Sequence, residues 1–198
     1  MADPAADPGV SYPWYGTVHD DSLQQGDFFF ELPAFVPQYP EELVEVPDPS
    51  AEAIAGNEPV EIDVDVGLYD VVVLSQSCDL LNRKNVALSV LVCPVFNLEI
   101  AKVHLKSLAD KKVLNEARQG KLPSVHMLAA CELAEFPLGI QIAMFNQVFT
   151  IPFSYIKVAA TEQLPRLRLL PPYKEHLAQA FARFVMRVGL PQDIPDLK

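Results

Sequence analysis

Four consecutive residues, Gln76-Ser77-Cys78-Asp79, bring an amide, a hydroxyl, a thiol and a carboxylate together. A thiol becomes a nucleophile when a base or a positive field draws off its proton. His104 and His126 are the histidines that could serve. On that reading Cys78 and Asp79 are the catalytic candidates. Gln76, Ser77 and Asp79 could instead hydrogen-bond a peptide or a nucleotide, which makes Gln76 and Ser77 binding candidates. The plainer alternative is that Cys78 packs as a small side chain and Asp79 caps the turn that follows.

Two other groupings have chemistry in them. Cys78, Cys93, His126 and Cys131 are ligand types that zinc accepts. They lack any C-x-x-C pair, and Cys93 falls inside the apolar run Val90-Leu-Val-Cys93, so neither a metal nor a cofactor is expected. His176, Gln179, Arg183 and Arg187 recur at helical spacing and share one face. With Arg166, Arg168 and Lys174 they could hold a phosphate or an acidic partner, so His176, Arg183 and Arg187 are further binding candidates. A solvated helix face would look the same. The chain carries no P-loop, no dinucleotide glycine motif, no G-x-S-x-G and no H-E-x-x-H, which leaves common nucleotide-dependent and hydrolase chemistries unsupported.

Charge narrows the partners. The net charge is −11, but every one of the 15 Lys and Arg lies beyond Asn82, whereas 17 of the 26 Asp and Glu lie before Arg83. Such asymmetry implies internal pairing or two surfaces with different partners. A nucleic-acid partner is disfavoured, because phosphate repulsion would have to be overcome locally. No apolar run approaches the ~18 residues of a membrane span. The amino-terminal Met-Ala-Asp-Pro has no leader-like apolar core, and three cysteines without tight spacing suit a reducing cytoplasm.

The elements that must position these residues read as short strands and two helical pieces in one domain over residues 1–198. Eighteen prolines punctuate the chain and keep elements short. Residues 1–25 read as an amino-terminal arm, with Trp14 to Val18 as a short strand or a lid. Phe28 to Leu32 is the first strand of the body, and Gly26 sits where a positive φ suits entry into it. Residues 33–59 read as an acidic, proline-rich excursion. Val60-Glu-Ile-Asp-Val-Asp-Val66 alternates as a half-buried strand, which Gly67 should turn into the strand Tyr69–Gln76. Leu80 to Asn85 reads as a loop or a helical turn, and Val86 to Pro94 as a buried strand.

A helical insert is expected at 98–120, capped by Ser107 with Asp110 and stopped by Gly120. Strand-like pieces follow at 124–128, 139–145, 147–151 and 154–158. Pro165 to Leu170 should be a surface strand with Arg166 and Arg168 outward. Pro171-Pro172 opens a carboxy-terminal helix, 172–189, with Leu177, Phe181, Phe184 and Val188 as its apolar stripe. The class is mainly β with α decorations (α+β), a small curved barrel.

Gly26-Asp27 before a strand, Asp70-Val-Val-Val-Leu-Ser75, Val90-Leu-Val-Cys-Pro-Val95 and Gln147-Val-Phe-Thr-Ile151 occur in an order that resembles the PemK/MazF-type toxins. The resemblance covers residues 26–158 discontinuously. It implies an SH3-like (PemK-like, CcdB-related) barrel of prokaryotic or phage type. Family ribonucleases cut RNA with an Arg and a Thr, and this chain has Tyr69-Asp70 and Phe96 at those places. An Asp repels phosphate and a Phe has no hydroxyl. The expectation is therefore a non-catalytic interaction or regulatory module that binds a protein partner, with self-association as an option. The alternative is an enzyme with its site at Gln76–Asp79, Cys-dependent or a toxin-like endoribonuclease.

Overall fold

The computed structural model describes residues 12–37, 64–81 and 89–186. Expectations for the first eleven residues, most of the acidic excursion, the Asn82–Asn85 part of the loop, and the end of the last helix with Arg187 and Val188 lie outside the described residues. Those described form a mixed α+β fold. The strands are β1 (Tyr15–Val18), β2 (Phe28–Pro37), β3 (Val64–Val73), β4 (Ser89–Asn97), β5 (Val125–Leu128), β6 (Gln141–Met144), β7 (Phe149–Pro152) and β8 (Arg166–Leu169). The helices are α1 (Ser77–Leu81), α2 (Leu98–His104), α3 (Lys111–Arg118), α4 (Phe153–Glu162) and α5 (Tyr173–Val185).

All pairings are antiparallel. A six-stranded sheet runs β2-β3-β4-β6-β5, with β7 beside the first half of β4; β1 and β8 form a second, two-stranded sheet. The ladders among the described residues do not close on themselves. The sheets meet where Leu169 N–H donates to the Gly26 carbonyl and Asp27 bridges Arg168. Gly26 makes this turn with φ 88°, a conformation side chains avoid.

The Val71–Val73 end of β3 and the middle of β4 are covered on both faces, which is why they read as unbroken apolar runs rather than alternating ones. Val71 and Val73 point to one core with Phe29, Val90, Val92, Ile156 and Ala160 of α4. Val72 points to the other core with Phe28, Cys93, Phe145, Leu167, Leu169 and Leu177 of α5. Each of these valines is fully enclosed, and burial of such a side chain is worth about 1.5–3 kcal/mol. A third core packs α2 and α3 on β5 and β6 through Ala101, Leu108, Ala117 and Ile142.

Four expectations are corrected. Gly67 does not turn the chain: β3 continues through it, pairing Gly67 with Ala34 and Leu68 with Pro33. A Cβ at Gly67 would lie 2.5 Å from the Tyr69 ring, so this glycine makes room for an aromatic side chain two residues on. Residues 33–37 belong to β2, because an edge strand tolerates a proline that cannot donate. Ser154 to Val158 is helical. Its β-branched residues look strand-like alone, but Ile156, Ala159 and Ala160 recur at i, i+3 and i+4 and face the core. Finally, Arg166 and Arg168 do not form a surface face. Arg166 is 1% exposed, and both reach the fully buried Asp27.

The helical insert ends as expected, at Gly120 with φ 67°. The expected Ser107 cap is not formed: Ser107 lies inside a short 3-10 turn, Asn97 caps α2, and Asp110 caps α3, its carboxylate accepting from Lys112 and Val113 N–H at 2.6 and 3.3 Å.

Candidate functional site

The polar run after β3 is largely committed to holding the fold. Ser75 Oγ accepts from Leu91 N–H at 2.8 Å and so ties the end of β3 to β4. Ser77 Oγ accepts from Gln25 N–H at 3.1 Å, and Gln25 Nε2 donates to the Leu74 carbonyl at 2.7 Å. These bonds anchor the loop that carries Gly26 and Asp27. α1 is five residues long and is held down by Leu80, which packs in the α4 core.

Cys78 and Asp79 point away from that core and are exposed. The Cys78 sulfur lies 3.7 Å from Gln76 Oε1 and 3.7 Å from Asp79 Oδ1. Both neighbours are acceptors. Among the described residues no histidine, lysine or arginine hydrogen-bonds this sulfur. His104 lies tilted against Phe96 of β4 at 4.7 Å between centroids, and His126 stacks on Phe145 at 6.3 Å.

The proposed zinc ligands are likewise apart in character. Cys93 is enclosed in β4, where burial pushes its thiol far up. Cys131 sits in a bridge with Leu138, beside Tyr15. Among the described residues no three His, Cys, Asp or Glu side chains are grouped to hold a metal ion.

His176 and Arg183 are exposed on α5. They share a neighbourhood that spacing did not reveal. Arg183 and Ala180 form one wall of a hollow of about 250 Å³, and Gly120, Leu122, Pro123, Val125 and His126 form the rest. His126 is held near pH 4, well below the ordinary imidazole value, first by burial and then by the charges of His176 and Arg183. Its Nε2 is enclosed and has no hydrogen-bond partner among the described residues. An orphaned buried polar atom costs about 1–3 kcal/mol.

A different surface is apolar. On the outer face of the β2–β3 ribbon, Phe35 pairs with Val66 and Pro33 with Leu68. Phe35 is 77% exposed, Leu68 64% and Val66 60%. Phe35 and Val66 also edge a hollow of about 310 Å³, closed by Phe149, Ile151, Pro152 and Tyr155 of β7 and α4. This surface is not legible in the sequence, because Pro33 and Pro37 argue against a strand over 33–37.

The ribbon reaches this position through a β-bulge at Phe30 and Glu31. Gln163 satisfies both backbone groups of Phe30, accepting from its N–H at 3.1 Å and donating to its carbonyl at 2.9 Å. Asp70 accepts from Glu31 N–H at 2.9 Å. Glu31 takes φ 50°, unusual for a residue with a side chain.

Compared with known protein families and with curated proteins, the chain matches none.

Proposed function

We propose that this chain is a non-catalytic protein-interaction module, and that its partner offers an apolar side chain within a basic segment. The observation that carries this reading is the cluster of Phe35, Val66 and Leu68 left in water beside an apolar hollow. Isolated exposed apolar residues are ordinary, but a contiguous set at the rim of a concavity marks a contact surface. The partner's charge follows from the chain's own. Glu31 and Asp70 are exposed along the same ribbon, and the chain up to Asn82 has no positive side chain. Opposite charge would steer the encounter while the apolar anchor supplies affinity.

The fold is read as an open relative of the SH3-like, PemK-type barrel. The Asp27–Arg168 bridge and the Tyr15 Oη–Ala129 carbonyl hydrogen bond of 2.7 Å, which joins β1 to the end of β5, support this. A prokaryotic or phage-type setting rests on that resemblance, and three free cysteines suit a reducing compartment. A Cys-dependent activity gains no support from a sulfur flanked by two oxygens.

The test is a comparison of native complexes. The full chain, expressed in its own host, is separated by size and its stoichiometric companions are identified. Wild type and Cys78→Ala should carry the same partner, and Phe35→Asp with Leu68→Asp should lose it. Retention by the double aspartate variant would refute the surface. Loss on Cys78→Ala would return the site to Gln76–Asp79.

A further inference from the structure

We propose that the hollow between the Gly120–Pro123 turn, β5 and α5 binds the oxyanion group, phosphate or carboxylate, of a small ligand, with Arg183 as its charge partner. The site is separate from the apolar ribbon and independent of the function proposed for it.

Size comes first. At about 250 Å³ the hollow falls just below the ~300–1,000 Å³ of sites that enclose drug-sized ligands, which suits a small molecule or one end of a larger one. Charge comes second. No carboxylate lines the hollow among the described residues, and none lies within 4.0 Å of the Arg183 guanidinium. Other arginines of this fold, such as Arg166 and Arg168, are engaged by Asp27. Among the described residues Arg183 therefore has no carboxylate partner, and its planar fork has the geometry that fits two oxygens of a phosphate or carboxylate.

His126 and His176 stand beside it. Arg183 and His176 act on His126 electrostatically, so the three groups occupy one neighbourhood. Among the described residues His126 Nε2 meanwhile lacks a partner in a wall otherwise built from Leu122, Pro123, Val125 and Ala180. The turn itself offers no backbone anion nest: Gly120 N–H is spent on the Ala117 carbonyl and Lys121 N–H on that of Glu116. Recognition thus falls to side chains. The net charge of −11 works against a polyanion and favours a ligand with one or two charges.

The experiment titrates the full chain with inorganic phosphate, and separately with succinate, at constant ionic strength, following the imidazole resonances. The chain has four histidines. The expected result is saturable movement of His126 and His176, with His19 and His104 unmoved. Saturation by phosphate alone identifies a phosphate ligand, and by succinate alone a carboxylate. Arg183→Ala should weaken binding at least tenfold, and Arg183→Lys should restore part of it. His126→Phe, which keeps a ring against Phe145, should weaken binding also. Shifts that grow linearly with both anions, or saturable shifts that Arg183→Ala leaves unchanged, would overturn the proposal.

Discussion

Replacing Asp27 by Asn tests whether the buried charges organise this fold. Asp27 is fully enclosed. Its carboxylate accepts from Arg168 Nε, from Arg168 Nη2 at 2.9 Å and from Gln24 N–H at 3.0 Å. Arg166 lies 3.6 Å away and donates to the carbonyls of Asp20, Ser22 and Ala160. One acidic residue of the amino-terminal half thereby joins β2, β8, α4 and the loop before β2. Asparagine keeps the shape but removes the charge, which leaves two guanidinium groups, 1% and 13% exposed, without their buried carboxylate. Breaking a buried pair in this way costs about 3–5 kcal/mol. For a chain of this size about 2–4 °C of Tm accompanies each kcal/mol, so the midpoint should fall by roughly 6–20 °C.

Urea unfolding can be followed through the single tryptophan, Trp14, which stacks on Tyr173 at 3.7 Å. The midpoint should drop with an unchanged m-value. Arg168→Gln added to Asp27→Asn should cost less than the two single changes together. A loss for Asp27→Asn below about 1 kcal/mol, the worth of an exposed ion pair, would refute the reasoning.

Three other outcomes follow from the same geometry. His126 carries its proton only below about 4 when folded, against 6.5 unfolded, so between those values the unfolded chain binds more protons and stability falls as pH drops. The loss saturates below about 4 at no more than about 3 kcal/mol; urea midpoints at several pH values should show wild type losing more than His126→Phe. Native thiol labelling should modify Cys78 alone, no faster than an unfolded control, with Cys93 and Cys131 reacting only after denaturation. Gln163→Ala orphans the Phe30 N–H and carbonyl at the bulge and should cost about 1–3 kcal/mol by urea unfolding, whereas an unchanged midpoint would show the bulge is held by other means.

The parts legible in the sequence are those whose pattern is local. Val71 to Val73 and Val90 to Val95 announce strands buried on both faces, and Leu177, Phe181 and Phe184 announce the last helix by spacing alone. The unread parts depend on contacts between distant segments. Arg166 and Arg168 alternate with leucines like any surface strand, but Asp27 and the carbonyls of Asp20 and Ser22, from the far end of the chain, hold them inward. The bulge at Glu31 is stabilised by Gln163, and no local pattern reports a clamp across that separation. Of the candidate site, Gln76–Asp79 was visible as chemistry, but two of its neighbouring hydroxyls, on Ser75 and Ser77, serve the fold. The grouping of His126 with His176 and Arg183 depends on how β5 packs against α5, which neither segment encodes by itself.

The central claim is that the β2–β3 ribbon docks a partner. A photo-crosslinking residue placed at Phe35 in the full chain, and in parallel at Lys112 on the surface of α3, tests it most directly. A docking ribbon gives one discrete adduct from position 35, containing another protein with a basic segment, formed less at high salt and missing from position 112. An adduct only within the chain, only between two copies, or equal from both positions would contradict the claim.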